Sequence, residues 1–458
     1  ECGGGTATIE GGTIKYNNTG NTNYNTAAII ITTNSTTLTL GKEDGNVSIT
    51  NPEIIGSRYG ISNEGNGTFN FYDGIIKGKT AINGNLSAKE KGYEVITTEE
   101  NEIETAILGN LPVAKIGEKE YYTFQEAFDA CPSDGTETTV EVLRNCTTDM
   151  ANIIEENKNI VLDIQSYKIV SGIENLFTNN GKFKIVDSIG NGRIISAKGT
   201  ILKNEETGNF AINNITMQMT GSSAIDETIE NKGMLEVTGG VIISDGLKNK
   251  CINNIEQGTV KITGGTVSAY TYAIYNTSSN KIEIEGGTVQ ATYYYEGYSA
   301  IYNNTENGVV EIKGGLVTNQ GKAIENKKGT IKVTGGEIRT TQGDTRYSEC
   351  GIYNNGKVII EDGKVAALYR GSGIQNEGGT IEITGGTVSA PEWYNSIINR
   401  GTLEISGGTI KSNQKGIYNN STLKMTGGTV EVQEPNYTAL ECGGGTATIE
   451  GGTIKYNN

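Results

Sequence analysis

From Ile374 the chain reads I-Q-N-E-G-G-T-I-E-I-T-G-G-T-V-S-A, from Ile397 I-I-N-R-G-T-L-E-I-S-G-G-T-I-K-S, and from Ile417 I-Y-N-N-S-T-L-K-M-T-G-G-T-V-E-V. The Gly-Gly pair of this unit recurs upstream at 239–240, 264–265, 286–287, 314–315 and 335–336, and Asp362-Gly363 stands in for it once. A unit is about 20 to 28 residues long. It divides into three runs of three to five residues, each alternating apolar and polar, with glycines at the bends. Short period-2 runs at a fixed spacing predict one coil of a parallel β-helix per unit. An α-helix needs apolar residues three and four apart over a dozen positions, and these units have none. The Leu-x-x-Leu-x-Leu frame of leucine-rich repeats is missing, and a propeller blade needs twice the period.

Stacking explains the residue choices. Ile374, Ile397 and Ile417 fall one above another on the inside, each coil covering the apolar face of the next. Only 35% of residues are apolar, too few for a thick core but enough for a thin one repeated many times. The Asn two places after the Ile recurs at Asn231, Asn254, Asn276, Asn303, Asn326, Asn354, Asn376, Asn399 and Asn419. Amides at one place in every coil predict a hydrogen-bonded structural ladder. Cys442 takes the Asn place in its coil, which predicts a packed structural thiol.

Residues 1–18 and 441–458 are identical, ECGGGTATIEGGTIKYNN in both places, so the sequence has a period of 440 (441 − 1) residues. The expected organisation is β-helix coils over 1–85, the C-terminal part of one module. A junction and capping segment follows over 86–150, then coils of the next module over 151–458. Within the junction, Thr123 and Glu126 form a capping-box pattern, and Phe124, Ala127 and Phe128 share one helical face. This predicts a short helix over 123–131 that plugs the open core. The fold class is therefore all-β, a right-handed parallel β-helix with one short capping helix.

The G-T-[VI]-E-I-x-G-G-T-V coils, together with V-A-K-I-G-x-x-x-Y-Y-T-x-Q-E-A-F-x-A from Val113, resemble large repetitive bacterial cell-surface and secreted proteins of the right-handed parallel β-helix class. The resemblance implies an extracellular or cell-surface location, with adhesion or scaffolding as the role.

Composition narrows the chemistry. A net charge of −16 argues against nucleic acid as a partner. No apolar run is long enough to span a bilayer, so no membrane insertion is expected. The chain has no His, which removes Ser/His and Cys/His nucleophile schemes and most zinc sites. No metal or cofactor is expected. Many parallel β-helices cleave acidic polysaccharides, but no Asp-Asp pair occurs and the seven arginines are scattered. The expectation is a protein that is not an enzyme, with a polysaccharide lyase or hydrolase as the weakest reading. Cys131 and Cys146 are close enough in sequence to be a candidate disulfide.

Two outward features remain. Lys261, Glu283, Glu311, Lys332, Glu382, Glu404 and Lys424 share one position, expected to be a solvated ladder of mixed sign. Tyr275, Tyr302, Tyr353 and Tyr418 share another, while Tyr293, Tyr294, Tyr295 and Tyr298 crowd one long loop. Such rings either stack on one another or form a binding loop for glycan or host protein. The leading expectation is a structural module that binds copies of itself end to end into a fibre, and the alternative is an adhesin.

Overall fold

The computed structural model describes residues 3–16, 26–43, 47–90, 93–221, 227–246, 249–293, 297–341, 349–391, 393–434 and 436–456. The described residues form parallel β-solenoid coils, about 17 turns in all, with a single α-helix among them. It divides between Pro112 and Val113 into two units.

In unit 2, strands pair in parallel with their counterparts one coil on, giving three faces. The asparagine face aligns Ile374 with Ile397 and Ile397 with Ile417. The middle face aligns Ile381 with Leu403 and Leu403 with Leu423. The third face aligns Val388 with Ile410 and Ile410 with Val430. All nine of these side chains are buried, so the core is one inward side chain per strand position, repeated coil after coil. Each strand satisfies its backbone groups through the coils above and below it, and successive coils are spaced by the ordinary strand separation of about 4.8 Å.

The Gly-Gly corner follows from that spacing. At Gly408, φ is 75°, and a Cβ would lie 2.5 Å from the carbonyl oxygen of Gly385 one coil below. Only glycine meets both conditions. Where Asp362 replaces the first glycine, Gly363 keeps the left-handed second position, at φ 84°.

The helix α1 (Phe124–Ala130) closes the first coil of unit 2, with Thr123 as N-cap and Cys131 as C-cap. The capping box is complete: Glu126 N–H donates to Thr123 Oγ1 at 3.1 Å, and Thr123 N–H donates to the Glu126 carboxylate at 3.3 Å. Phe124, Ala127 and Phe128 point into the solenoid. Phe128 meets Phe177 and Phe183 at centroid distances of 6.2 and 5.8 Å, and Phe183 meets Phe210 at 5.7 Å. At the other end of the helix, buried Lys158 Nζ donates to the carbonyls of Phe128, Asp129 and Cys131 at 2.8 to 2.9 Å. Phe128 O also accepts from the C-cap Cys131 N–H at 3.2 Å, and the lysine adds a charged donor to all three carbonyls at the C-terminus of the plug.

The expected junction over 86–150 consists of two separate caps, one on each unit. In unit 1 the strands Glu94–Glu100 and Ile103–Gly109 form a hairpin whose second strand runs antiparallel to Ile75–Gly78. In unit 2 the strands Ala114–Ile116 and Lys119–Tyr121 form another, antiparallel to the edge of Glu137–Val142. Each hairpin interrupts parallel stacking and covers a sheet edge. Unit 1 itself has three parallel faces over a small core that includes Leu38, Leu40, Ile54, Ile61, Phe69 and Phe71. Among the described residues, no helix is long and apolar enough to cross a membrane.

Candidate functional site: the asparagine ladder and the aromatic face

The nine ladder residues hydrogen-bond in one column. Asn231 Nδ2 donates to Asn254 Oδ1 at 2.7 Å, Asn254 to Asn276 at 2.8 Å, Asn276 to Asn303 at 2.8 Å and Asn303 to Asn326 at 2.9 Å. The column continues through Asn354, Asn376 and Asn399 to Asn419 at 2.8 to 2.9 Å. It also extends the other way: Asn179 donates to Asn204, and Asn204 to Asn231, each at 2.8 Å. These side chains are buried, and from Asn204 onward each amide also donates to turn carbonyls. Asn376 Nδ2, for instance, reaches Gly379 O at 2.8 Å. The column thus satisfies the turn that follows each coil, in a medium where an unpaired carbonyl is costly.

Cys442 stands in register above Asn419 and is exposed in the last described coil. Cys131 and Cys146 are not joined to each other. Cys131 Sγ donates to Ala127 O at 3.3 Å at the end of α1, and burial pushes its thiol up although Lys158 pulls the other way. Cys146 belongs to a strand of the third face, in register with Ile169. One cysteine serves the plug and the other the coil wall. Cys251 and Cys350 are wholly buried, and burial pushes both thiols up.

Beside the ladder, the outward column gathers rings. Tyr275 and Tyr302 stack at 4.8 Å with an interplanar angle of 14°. Tyr272 meets Tyr275, Tyr298 and Tyr302 edge-on at 5.3 to 5.6 Å, and its hydroxyl donates to Gly297 O at 2.5 Å. Tyr293 packs on Tyr270 at 4.6 Å and on Tyr298 at 5.4 Å. Loop and column tyrosines therefore form one cluster, while Tyr294 and Tyr295 lie outside the described residues. Next in the column, Glu325 is buried, with Lys327 Nζ at 2.8 Å and Lys322 Nζ at 3.4 Å. Both lysines also sit over the Tyr353 ring. Burial, then the Glu325 charge, pushes the Tyr272 hydroxyl up, and the hydrogen bond to Glu325 raises Lys327. The cluster is largely occupied with itself.

Members of the mixed-sign column pair with flanking residues, several of them one coil away. Lys281 bonds Glu283 at 2.8 Å and Glu311 at 2.5 Å, and Lys313 bonds Glu283 and Glu285. Hydrogen bonds from Lys281 and Lys313 hold the Glu283 carboxyl down at about 2. A shallow depression of about 340 Å³ includes Glu382, Glu404 and Lys424, but Glu382 is paired with Lys357 at 2.7 Å. Among the described residues, no three His, Cys, Asp or Glu side chains are grouped as metal ligands.

Sequence reasoning missed Trp393. This is the chain's single Trp. It is 65% exposed, has φ 72°, and meets the Tyr437 ring edge-on at 6.1 Å. Its backbone N–H donates to Gln414 Oε1 at 3.0 Å, which holds the left-handed turn. The one signal available was a lone Trp in a variable-length loop. In comparisons with known proteins, the chain matches no family model, no curated protein and no solved structure.

Proposed function

We propose that this chain is a structural repeat module of a bacterial extracellular filament or giant tandem-repeat surface protein, working by length and by association with copies of itself. The observation that carries this reading is the asparagine column, unbroken from Asn179 to Asn419. Polar side chains that in a catalytic groove would face a substrate are here buried and committed to the coil above. A module built this way resists bending and can be lengthened by adding coils. An antibody against residues 113–458, used to label surface material from the source cells in electron microscopy, tests the reading. Labelled fibres are expected, and label found only on dispersed short rods overturns it. The mass of the denatured, reduced polypeptide then separates covalent tandem copies, seen as steps of 440 residues, from assembled subunits.

A second reading, an adhesin that holds glycan or a host surface protein, is favoured by one observation. Trp393 presents an indole face to solvent on a backbone strained for a bulky residue. Binding to a glycan array that is lost in Trp393→Ala, with fibres intact, would support it. Equal binding by both proteins removes it.

A further inference from the structure

On the outer side of the asparagine face, one coil brings an amine, a carboxamide and a carboxyl together. Glu227, Lys250 and Tyr272 stand in register on successive strands, and so do Glu230, Asn253 and Tyr275. Lys250 Nζ donates to Asn253 Oδ1 at 3.1 Å. Asn253 Nδ2 donates to Glu227 Oε1 at 2.9 Å, and the same carboxylate oxygen lies 3.6 Å from Lys250 Nζ. This closed triangle fixes which end of the carboxamide is which, because an ammonium only donates and a carboxylate only accepts. Asn253 and Glu227 are buried. The Tyr275 ring, one coil above Asn253, has its centroid 4.3 Å from Lys250 Nζ. The three groups thus meet between a carboxyl on one coil and an aromatic ring two coils on.

Other coils hold parts of this arrangement but not the whole. Lys322 and Glu325 occupy the same two positions, with Nζ 3.4 Å from the carboxylate. A carboxylate has no amine to expel, and Ser299 stands there in the place of Glu227. Gln375 is a carboxamide at the position of Asn253, but Ser372 replaces the lysine.

We propose that Lys250 and Asn253 condense into an intramolecular isopeptide bond, with Glu227 as the acid–base catalyst. An amine attacks only after losing a proton, and the Glu227 carboxylate is placed to take one from the Lys250 ammonium. The neutral Nζ then adds to Asn253 Cγ, forming the new C–N bond and a tetrahedral adduct. Glu227 hands its proton to Nδ2, the atom it already holds, and takes the second proton from Nζ. The Cγ–Nδ2 bond breaks and ammonia leaves, carrying off that second proton as ammonium. Lysine ammonium and carboxamide go in, secondary amide and ammonium ion come out, and the Glu227 carboxylate is restored. The step consumes no oxidant and no co-reactant. What the fold supplies is proximity: the reacting groups are already in contact, so a reaction that is slow between free side chains becomes a local one. The product ties the first residue of the strand Lys250–Asn254 to its fourth, and its new N–H faces Glu227.

The reaction needs one chain only, so its outcome is independent of the fibre reading. The test is the mass of the full chain, folded, warmed at mildly alkaline pH, then denatured and reduced. It is expected to be one ammonia lighter than the sequence requires. In a tryptic digest, cleavage after Lys250 should be lost, and fragment spectra should place the missing ammonia in a link between Lys250 and Asn253. Lys250→Arg, which keeps the positive charge, and Asn253→Ala should both retain the full mass. Glu227→Gln, which keeps the shape of the carboxyl but cannot carry the proton, should retain it too. Far-ultraviolet circular dichroism of each variant checks that the coils are formed. A folded wild-type chain that keeps its full mass overturns the bond. An ammonia loss that persists in Lys250→Arg, or that maps to another residue, also overturns it, since such a loss is succinimide formation at an asparagine elsewhere. A 250–253 link that still forms at the wild-type rate in Glu227→Gln overturns the role of Glu227.

Discussion

Unit 2 turns the corner between its middle and third faces in more than one way, and two of these contrast. From Gly239 onward the corner is a pair of glycines in every coil but the Asp362-Gly363 one, and coils touch there mainly through backbone: Thr263 N donates to Val237 O, and Thr266 N to Gly240 O, each at 2.9 Å. In two earlier coils the corner is built by an aspartate. Asp163 Oδ1 accepts from Gln165 N at 3.2 Å and from Ser188 N of the next coil at 3.0 Å. Asp187 accepts from Ile189 N, from Gly192 N and, one coil back, from Ser166 N at 2.9 Å. Gln165, Ser166 and Asn191 take the left-handed conformations that glycine takes later. The stack is the same, but its corner is held by carboxylates near the plug and by close-packed backbone farther on. A glycine corner can be repeated indefinitely without adding charge, whereas an aspartate corner tolerates ordinary residues around it.

The largest expected effect breaks the glycine corner. Gly408→Val forces a β-branched residue into φ 75° against the Gly385 carbonyl and should cost on the order of 3 kcal/mol, read as a lower urea midpoint. A cost below about 1 kcal/mol would show that the corner has room the close approach denies. Next come Asn204→Ala and Asn376→Ala, one near the aspartate corners and one among the glycine coils. Each removes amide bonds to the neighbours above and below and should cost about 2 kcal/mol. Equal costs would confine the difference between the two regions to the corner. Asn191→Ala should cost only about 1 kcal/mol, the penalty of an alanine in the left-handed region.

The same contrast explains what could be read in the sequence. Glycine corners are visible because they leave a mark at fixed spacing, and with them came the coil, the inward Ile positions and the ladder from Asn231. The aspartate-cornered coils lack that mark, so Asn179 and Asn204 were not placed in the ladder, although Leu176-Phe177-Thr178-Asn179 carries the same alternation. Helix α1 was legible within a residue at either end because a capping box is local. Lys158, which completes its C-terminus from the next coil, was not, since the partnership spans 27 to 30 residues. For the cysteines, proximity in sequence misled: fifteen positions suffice to carry Cys146 off the plug and onto the wall. In the tyrosine loop, the two described rings, Tyr293 and Tyr298, pack on Tyr270 and Tyr272, contacts between neighbouring coils that a reading of the loop alone does not show.

The smallest effect separates the two corners by pH. Burial raises the Asp187 carboxyl, but backbone hydrogen bonds from Gly192, Gly190, Ser166 and Ile189 outweigh it and leave the carboxyl below its usual value. A carboxyl depressed on folding contributes stability that is present above its unfolded value of about 3.9 and is lost as pH falls through the lower folded value. Acid should therefore loosen the Asp187 corner first. Hydrogen exchange at the Ser166, Ile189 and Gly192 amides, corrected for intrinsic rate, should rise below about pH 4. Thr263 and Thr266, bonded only to backbone, should not change in step. In Asp187→Asn the exchange at those three amides should be faster at neutral pH and no longer depend on acid, because the titrating group is gone. If wild-type amides at both corners respond alike, the carboxylates are passengers and the backbone carries the stack throughout.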